Sequence, residues 1–408
     1  MARSAFPAPA PEAASEDGAL AAARARARAR YDDHPLPTDA EEIWRYSRVN
    51  ELDPGAWAPA PRPSSASARP VLPEASVVLV DGYALGVVGS GSPYVALAVS
   101  DIDTLTSQAA PSDPFADLNT AHAPEPVVIS VPPATVVERP IVVVHWAESS
   151  GTVRFPRVIV RIGQGAQATV IEHHLSADVR AWSDPVTELH VADAAHLSHV
   201  TVQELGPEVW QTAYLAASVG RDAVLRAATV ALGGDYARSR TDSTVIGPGG
   251  SAELAALYCG SGHQMHDFRT LQDHVAPKSS SDLLFKGAVA DESRSAYSGL
   301  IRVRRGAAGT QAFQTNRNLV LSETGLATYS VPNLDIEEND VSCSHASATG
   351  PIDADQRFYL ESRGVPTDVA DRLIVLGFFG EVIERLPEGL RAHVTDVIGA
   401  KLRVGLDG

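Results

Sequence analysis

Two residues of this chain have the types and the spacing to do chemistry together. Cys343 and His345 lie in the stretch Asp340-Val341-Ser342-Cys343-Ser344-His345-Ala346-Ser347-Ala348-Thr349. A strand sends successive side chains to alternate faces, so residues i and i+2 share one. Read as a strand, the stretch projects Cys343 and His345 side by side and turns Ser344 away. A thiol and an imidazole aimed together bind a soft or borderline metal, or let the histidine activate the thiol. The competing reading is structural, a C-x-H pair with no ligand. The chain holds only two cysteines. A zinc or iron–sulfur site normally wants about four ligands. If Cys343 binds iron, another molecule must supply the rest, so the expected site is shared at a subunit interface.

Other polar groupings are weighed against their structural alternatives. His263-Gln264-Met265-His266-Asp267, followed by Asp273 and His274, is the densest. On a strand His263 and His266 face opposite sides, and the nearby Gly260 and Gly262 argue against a helix, so a structural role in stacked coils is expected. His173 and His174 are adjacent and diverge, which argues against one shared site. Cys259, in Leu257-Tyr258-Cys259, reads as a buried thiol acting as a small hydrophobe. No G-x-x-x-x-G-K-[ST], G-x-S-x-G or H-E-x-x-H motif occurs. Nucleotide binding of the phosphate-loop kind and two common hydrolytic sites are thereby set aside.

The elements that must position Cys343 follow from periodicity. From Val153 onward, short runs rich in Val, Ile, Leu and Thr alternate with turns that look alike, at 165–168, 193–196, 221–224, 249–252 and 278–281. They recur about every 28 residues, and the interval then shortens to about 15 at 292–294, 306–308 and 323–325. Regular short strands without helical interruption predict a β-solenoid or a sandwich. After Thr349 the pattern turns helical. Asp353 with Gln356 forms a capping box and Gly364 fits the stop. Thr367 is expected to cap a second helix carrying Val369, Leu373, Leu376 and Ile383, which ends at Pro387 and Gly389. A last helix carries Leu390, Val394, Val397, Ile398 and Leu402. Phe378 and Phe379 are adjacent and cannot both lie on one narrow stripe, so at least one is expected to face outward or meet a partner.

At the other end, residues 1 to about 75 are rich in Ala, Pro and charge, with disorder expected to about Arg30. Leu20 to Tyr31 alternates Ala and Arg without an apolar face and reads as a solvated extension or short helix. Thr38-Asp39-Ala40-Glu41 opens a short helix through Trp44 and Tyr46, and residues 59–73 form a linker. The expected divisions are 1–75 (partly disordered or helical, with the linker), 76–345 (strands) and 346–408 (helices). With 33 basic and 50 acidic residues the net charge is −17, which argues against nucleic acid or an anionic membrane as partner. No run of about 18 apolar residues occurs, and two distant cysteines suit a reducing cytoplasm.

The stretch from Asn316 onward, NRNLVLSETGLATYSVPNLDIEENDVSCSHASATGPIDADQRFYLESRGVP, resembles the C-terminal signature of the SufB/SufD family of iron–sulfur cluster assembly scaffolds. The matching residues are Pro332, Leu334, Ile336, Asp340, Val341, Cys343, Ser344, His345, Asp353, Gln356, Phe358, Tyr359, Leu360, Ser362, Arg363 and Gly364. Asn339 stands where Asp is usual, and Ala346-Ser347 replace Gly-Ala. The likeness extends to Lys286–Val303 and faintly to Trp44–Ser47. It implies a mainly β protein with a right-handed parallel β-helix core, an N-terminal helical or irregular region and a C-terminal helical domain. It further implies a non-catalytic, SufD-like scaffold, a SufB-like partner and a SufC-like ATPase docking on the C-terminal helices, with a homodimer possible in isolation. A transient cluster would be shared with the partner through Cys343 and His345, and this chain would bind no nucleotide. The alternatives are a SufB-type scaffold and a carbohydrate-active β-helix enzyme, which would need carboxylates or a base converging on a groove.

Overall fold

The computed structural model describes residues 6, 19–63, 75–87, 93–97, 113–322 and 327–406. Its body is a β-solenoid of about eight turns. Two sheets of parallel strands face one another across the core. The first runs from Val127–Val131 to Ala327–Ile336, the second from Val77–Val80 to Val341–Pro351. Each coil gives one strand to each sheet, so strands adjacent in a sheet are alternate strands in sequence.

The repeated turns make the corners of the coils. Gly165, Ala194, Asp222, Gly249 and Lys278 all adopt positive φ, 27 to 29 residues apart, which is one full coil. Each corner also bonds to the next. The Gly165 N–H donates to Asp193 O, Ala194 N–H to Arg221 O, Asp222 N–H to Pro248 O and Lys278 N–H to Ala308 O. The shorter interval near the C-terminus is half a coil: Gly234, Gly262 and Asp291, also at positive φ, mark the opposite corner, and the expected turn at 323–325 lies outside the described residues.

Parity sorts the core. In the second sheet, inward side chains such as Val143, Val170, Leu197, Leu225, Leu254 and Leu283 belong to one apolar core between the sheets. Outward residues of the same strands, Val144, Ile171, Val202, Val230, Leu257 and Cys259, form a second cluster with the C-terminal helices.

The two ends of the solenoid differ. At the N-terminal end each sheet closes with an antiparallel strand, Tyr83–Val87 on Val77–Val80 and Val95–Leu97 on Val127–Val131. At the C-terminal end the last strands, Ala327–Ile336 and Val341–Pro351, each have a neighbour on one side only among the described residues. Exposed strand edges bear unpaired N–H and C=O groups and are templates for pairing.

Among the described residues five α-helices flank the coils: α1 (Ala19–Asp33), α2 (Pro114–His122), α3 (Ala354–Glu361), α4 (Thr367–Arg385) and α5 (Glu388–Leu406). The expectation of disorder to about Arg30 is corrected for residues 19–30, which are helical and packed on α2. Its packing face is two alanines and a tyrosine: Ala23, Ala27 and Tyr31 are buried at helical spacing. Arg24 is buried too, and its guanidinium donates to Ala123 O at 2.5 Å and Pro124 O at 2.6 Å just past the end of α2. Cations at a helix C-terminus also oppose its dipole. The expected helix after Thr38 is a single 3-10 turn, Glu42–Trp44. The Glu41 carboxylate accepts from Thr38 N–H, and Trp44 is buried under Arg238.

Asp353 caps α3 as its spacing predicts, accepting from the N–H groups of Asp355 and Gln356. Gly364 follows at φ +83°. Thr367 is not a cap: Pro366 holds that position, and the Thr367 hydroxyl donates to Glu361.

Candidate functional site at the open end of the solenoid

The terminal strand pairs with Thr310–Val320 in parallel, with Ala312 opposite Cys343 and Gln314 opposite His345. Thr310, Ala312, Gln314, Asn316 and Asn318 are the inward, buried residues of the covered strand. Cys343 and His345 continue their columns, so both belong to the inward face, as the i, i+2 spacing predicts. Cys343 is half-buried and His345 exposed, because no further coil covers them. Val341 and Cys343 pack on Ile301, Val303, Ala307 and Ala312. Burial pushes the Cys343 thiol up, partly countered by a backbone hydrogen bond from Ala312. A metal binding there would have to displace the thiol proton.

Beneath this pair the interior changes character. Earlier coils stack aliphatic side chains around one buried histidine–glutamate group, whereas the last ones stack amides and phenols. The Tyr297 hydroxyl donates to Gln314 Oε1 at 3.0 Å. The Tyr258 hydroxyl donates to Asn318 Oδ1 at 2.6 Å and accepts from Asn316 Nδ2 at 3.1 Å. Asn318 Nδ2 donates to Asn316 Oδ1 at 2.9 Å. Gly287, in register with Tyr258, makes room for that ring, since a Cβ there would meet it at 1.9 Å. These residues escaped the sequence reading. The available signal was Asn316-Arg317-Asn318, two amides at same-face spacing in a strand.

The acidic residues near the end serve local structure. Asp335 pairs with Arg302 at 2.9 Å, and Glu338 accepts from Gly306 N–H at 3.0 Å. Leu334 and Ile336 are exposed on the last strand of the first sheet.

The remaining candidates separate as parity requires. His263 lies in an exposed turn beside Glu292, whereas His266 and His274 are buried inside the solenoid. His274 is hydrogen-bonded to Ser279 and Ser281. Asp267 pairs with Arg238 and Arg269, and Asp273 with Arg304. His173 and His174 diverge: His174 enters the core, where its ring stacks on His145 at 4.1 Å, and His173 faces outward. Glu172 is also inside, accepting from His145, His199 and Thr187. Burial alone would raise its carboxyl, but the two histidines hold it well below the usual range. Cys259 is buried against the helices and its thiol is pushed up to about 11 by burial, an inert structural cysteine.

The expected docking pair on α4 needs correction. Phe379 has no exposed surface; it packs with Val375, Val382 and Ile398 against the outer face of the second sheet. That leaves it nothing to offer a partner. Phe378 is half-buried beneath Lys286, whose ammonium donates to Phe378 O and pairs with Glu381, both at 2.9 Å. Among the described residues, the exposed large apolar side chains of the C-terminal helices are Phe358 and Tyr359 on α3 and Leu373 on α4.

The family model for the core domain of SUF-system iron–sulfur cluster assembly proteins matches residues 145–378. The chain is similar to an iron–sulfur cluster assembly SufBD family protein of Mycobacterium bovis, 34% identical over 383 residues and 90% of each chain. It is 29% identical to the iron–sulfur cluster assembly protein SufD of Escherichia coli over 384 residues, 91% of this chain and 90% of the relative. The SufD of Bacillus subtilis is 29% identical over 279 residues, 67% of this chain and 63% of the relative.

Proposed function

From the premise that this chain belongs to the SufBD family of the SUF iron–sulfur cluster assembly system, we propose that it is a SufD-like, non-catalytic scaffold subunit. A SufB-like partner adds its own terminal strands to the open end of the solenoid. The nascent cluster is cargo at that junction, with Cys343 and His345 as this chain's share of its ligands. The observation that carries the reading is the placement of both side chains in inward columns on a terminal strand with a free edge. A partner strand hydrogen-bonded to that edge would cover Cys343 and bring its own residues within reach. Imidazole is neutral and holds iron less firmly than thiolate, which favours handing a cluster on. No helix among the described residues is long and apolar enough to cross a membrane, and the assembly is read as cytoplasmic.

A SufC-like ATPase supplies nucleotide chemistry from outside the chain and docks on the C-terminal helices. Phe358, Tyr359 and Leu373 are the side chains offered for that contact, in place of Phe379.

Edge pairing is tested with proline, which removes a ladder donor. Ala346 and Ser347 are adjacent, so their N–H groups point to opposite edges of the strand. Of the separate variants Ala346→Pro and Ser347→Pro, the one that loses the outward N–H should no longer co-purify with the SufB-like subunit. Undiminished co-purification of both would refute edge pairing.

A further inference from the structure

His173 and His174 diverge, and the outward member reaches a second grouping that takes no part in the open-end site. His173 leaves the strand Gln167–Ser176 on the helix-facing side of the second sheet. Its Nε2 contacts Oε2 of Glu204, the last residue of the neighbouring strand His196–Glu204. From α5, His393 brings its own Nε2 to 3.0 Å from the same carboxylate oxygen. The two imidazoles stand edge to face, with centroids 5.7 Å apart. The donor atoms of all three residues lie within 4.8 Å of one another.

Two imidazoles and one carboxylate are a donor set that first-row divalent metals take with positions left over for water. Metal–ligand bonds of about 2.0–2.2 Å at tetrahedral angles place donor atoms roughly 3.4 Å apart. The 3.0 Å separation seen for His393 and Glu204 is therefore within a fraction of an ångström of what an ion needs. The site is reachable: the His393 side chain is 45% exposed, while His173 and Glu204 are mostly covered and held by the sheet. Glu204 is suited to the role, because hydrogen bonds from the two histidines outweigh its partial burial and keep it ionised.

We propose that His173, Glu204 and His393 form a binding site for a divalent first-row transition metal ion, which clamps α5 to the solenoid. Two ligands come from the sheet and one from the helix, so the set is complete only when α5 is docked. The ion would add to the contacts already holding that helix, among them Lys401 donating to Leu232 O at 2.6 Å. On binding, the ion takes the place of the hydrogen bonds that now join Glu204 to the two imidazoles.

The test uses the full chain with Cys343→Ala and His345→Ala, so that the open end contributes no ligand. Co2+ is titrated and followed by visible absorption and equilibrium dialysis. Hydrogen exchange of residues 388–406 is measured with and without Zn2+. The background chain should bind one more equivalent of Co2+ than the same chain carrying His393→Gln or His173→Gln. Zn2+ should slow exchange in α5 only where the triad is intact. Because His393 is half-exposed, His393→Gln carries the test even if His173→Gln fails to fold. Equal stoichiometry and spectra with and without His393→Gln would overturn the site. Binding without slowed exchange in α5 would overturn the clamp.

Discussion

Replacing Phe379 by alanine separates a packing residue from a docking residue. The side chain is fully buried among Val375, Val382 and Ile398 against the outer face of the second sheet. A fully buried Phe truncated to Ala costs about 3–5 kcal/mol, from lost transfer free energy plus the cavity left behind. Leu373, on the same helix, is 49% exposed, and its truncation should cost no more than about 0.5 kcal/mol. A domain's stability is only about 5–15 kcal/mol, so the Phe379→Ala loss should show as detachment or melting of the C-terminal helices. The assay is urea denaturation of the isolated chain with hydrogen exchange of α4 and α5 read in parallel. Phe379→Ala should lower the midpoint and accelerate exchange through both helices, and Leu373→Ala should do neither. A Phe379→Ala cost under about 1 kcal/mol would refute the burial argument, because a packed aromatic cannot be removed so cheaply. It would return Phe379 to the list of docking candidates.

Tyr258→Phe strands Asn316 and Asn318 without their shared hydroxyl and should cost about 1–3 kcal/mol, measured by thermal denaturation; no loss would mean the amide ladder is not paired as described. Burial pushes His122 and His274 down to about 4 and His266 to about 3. Their folded values lie below the unfolded one, so the unfolded chain binds more protons between about pH 4 and 6.5, and stability falls as pH drops through that window. Each group contributes up to about 1.4 kcal/mol per pH unit, which urea midpoints on either side of about pH 6.5 should reveal. Phe358→Asp with Leu373→Asp should abolish capture of the SufC-like ATPase and leave the urea midpoint unchanged. Retained capture would move the docking surface elsewhere.

Legibility in the sequence followed how local the determining physics is. The corners of the solenoid were visible because each coil needs the same left-handed turn, at Gly165, Ala194, Asp222, Gly249 and Lys278. Alternation predicted that Cys343 and His345 share a face and that His173 and His174 do not. The signature around Cys343 carried the family resemblance, which the match over residues 145–378 bears out. Long-range packing was not legible. Helix α1 has only a narrow seam of Ala23, Ala27 and Tyr31 among its arginines, and its docking also uses Arg24 bonding to carbonyl oxygens about a hundred positions away. Which of Phe378 and Phe379 turns inward depends on where α4 meets the sheet, and adjacency alone could not decide it. The polar interior under the open end was missed because Tyr258 lies 58 and 60 positions from the amides it bridges. The His173–Glu204–His393 grouping likewise joins one strand pair to a helix 189 positions further on.

The central claim is that Cys343 and His345 are this chain's ligands to a cluster shared across the open end of the solenoid. The most direct measurement is the iron and sulfide content of the complex, co-expressed with its SufB-like and SufC-like partners and purified without oxygen. Wild-type complex should carry the cluster and its visible absorption. Cys343→Ala and His345→Ala should each lower both, while Cys259→Ala, buried against the helices, should leave them intact. Full iron and sulfide loading in the Cys343→Ala, His345→Ala double variant would contradict the claim.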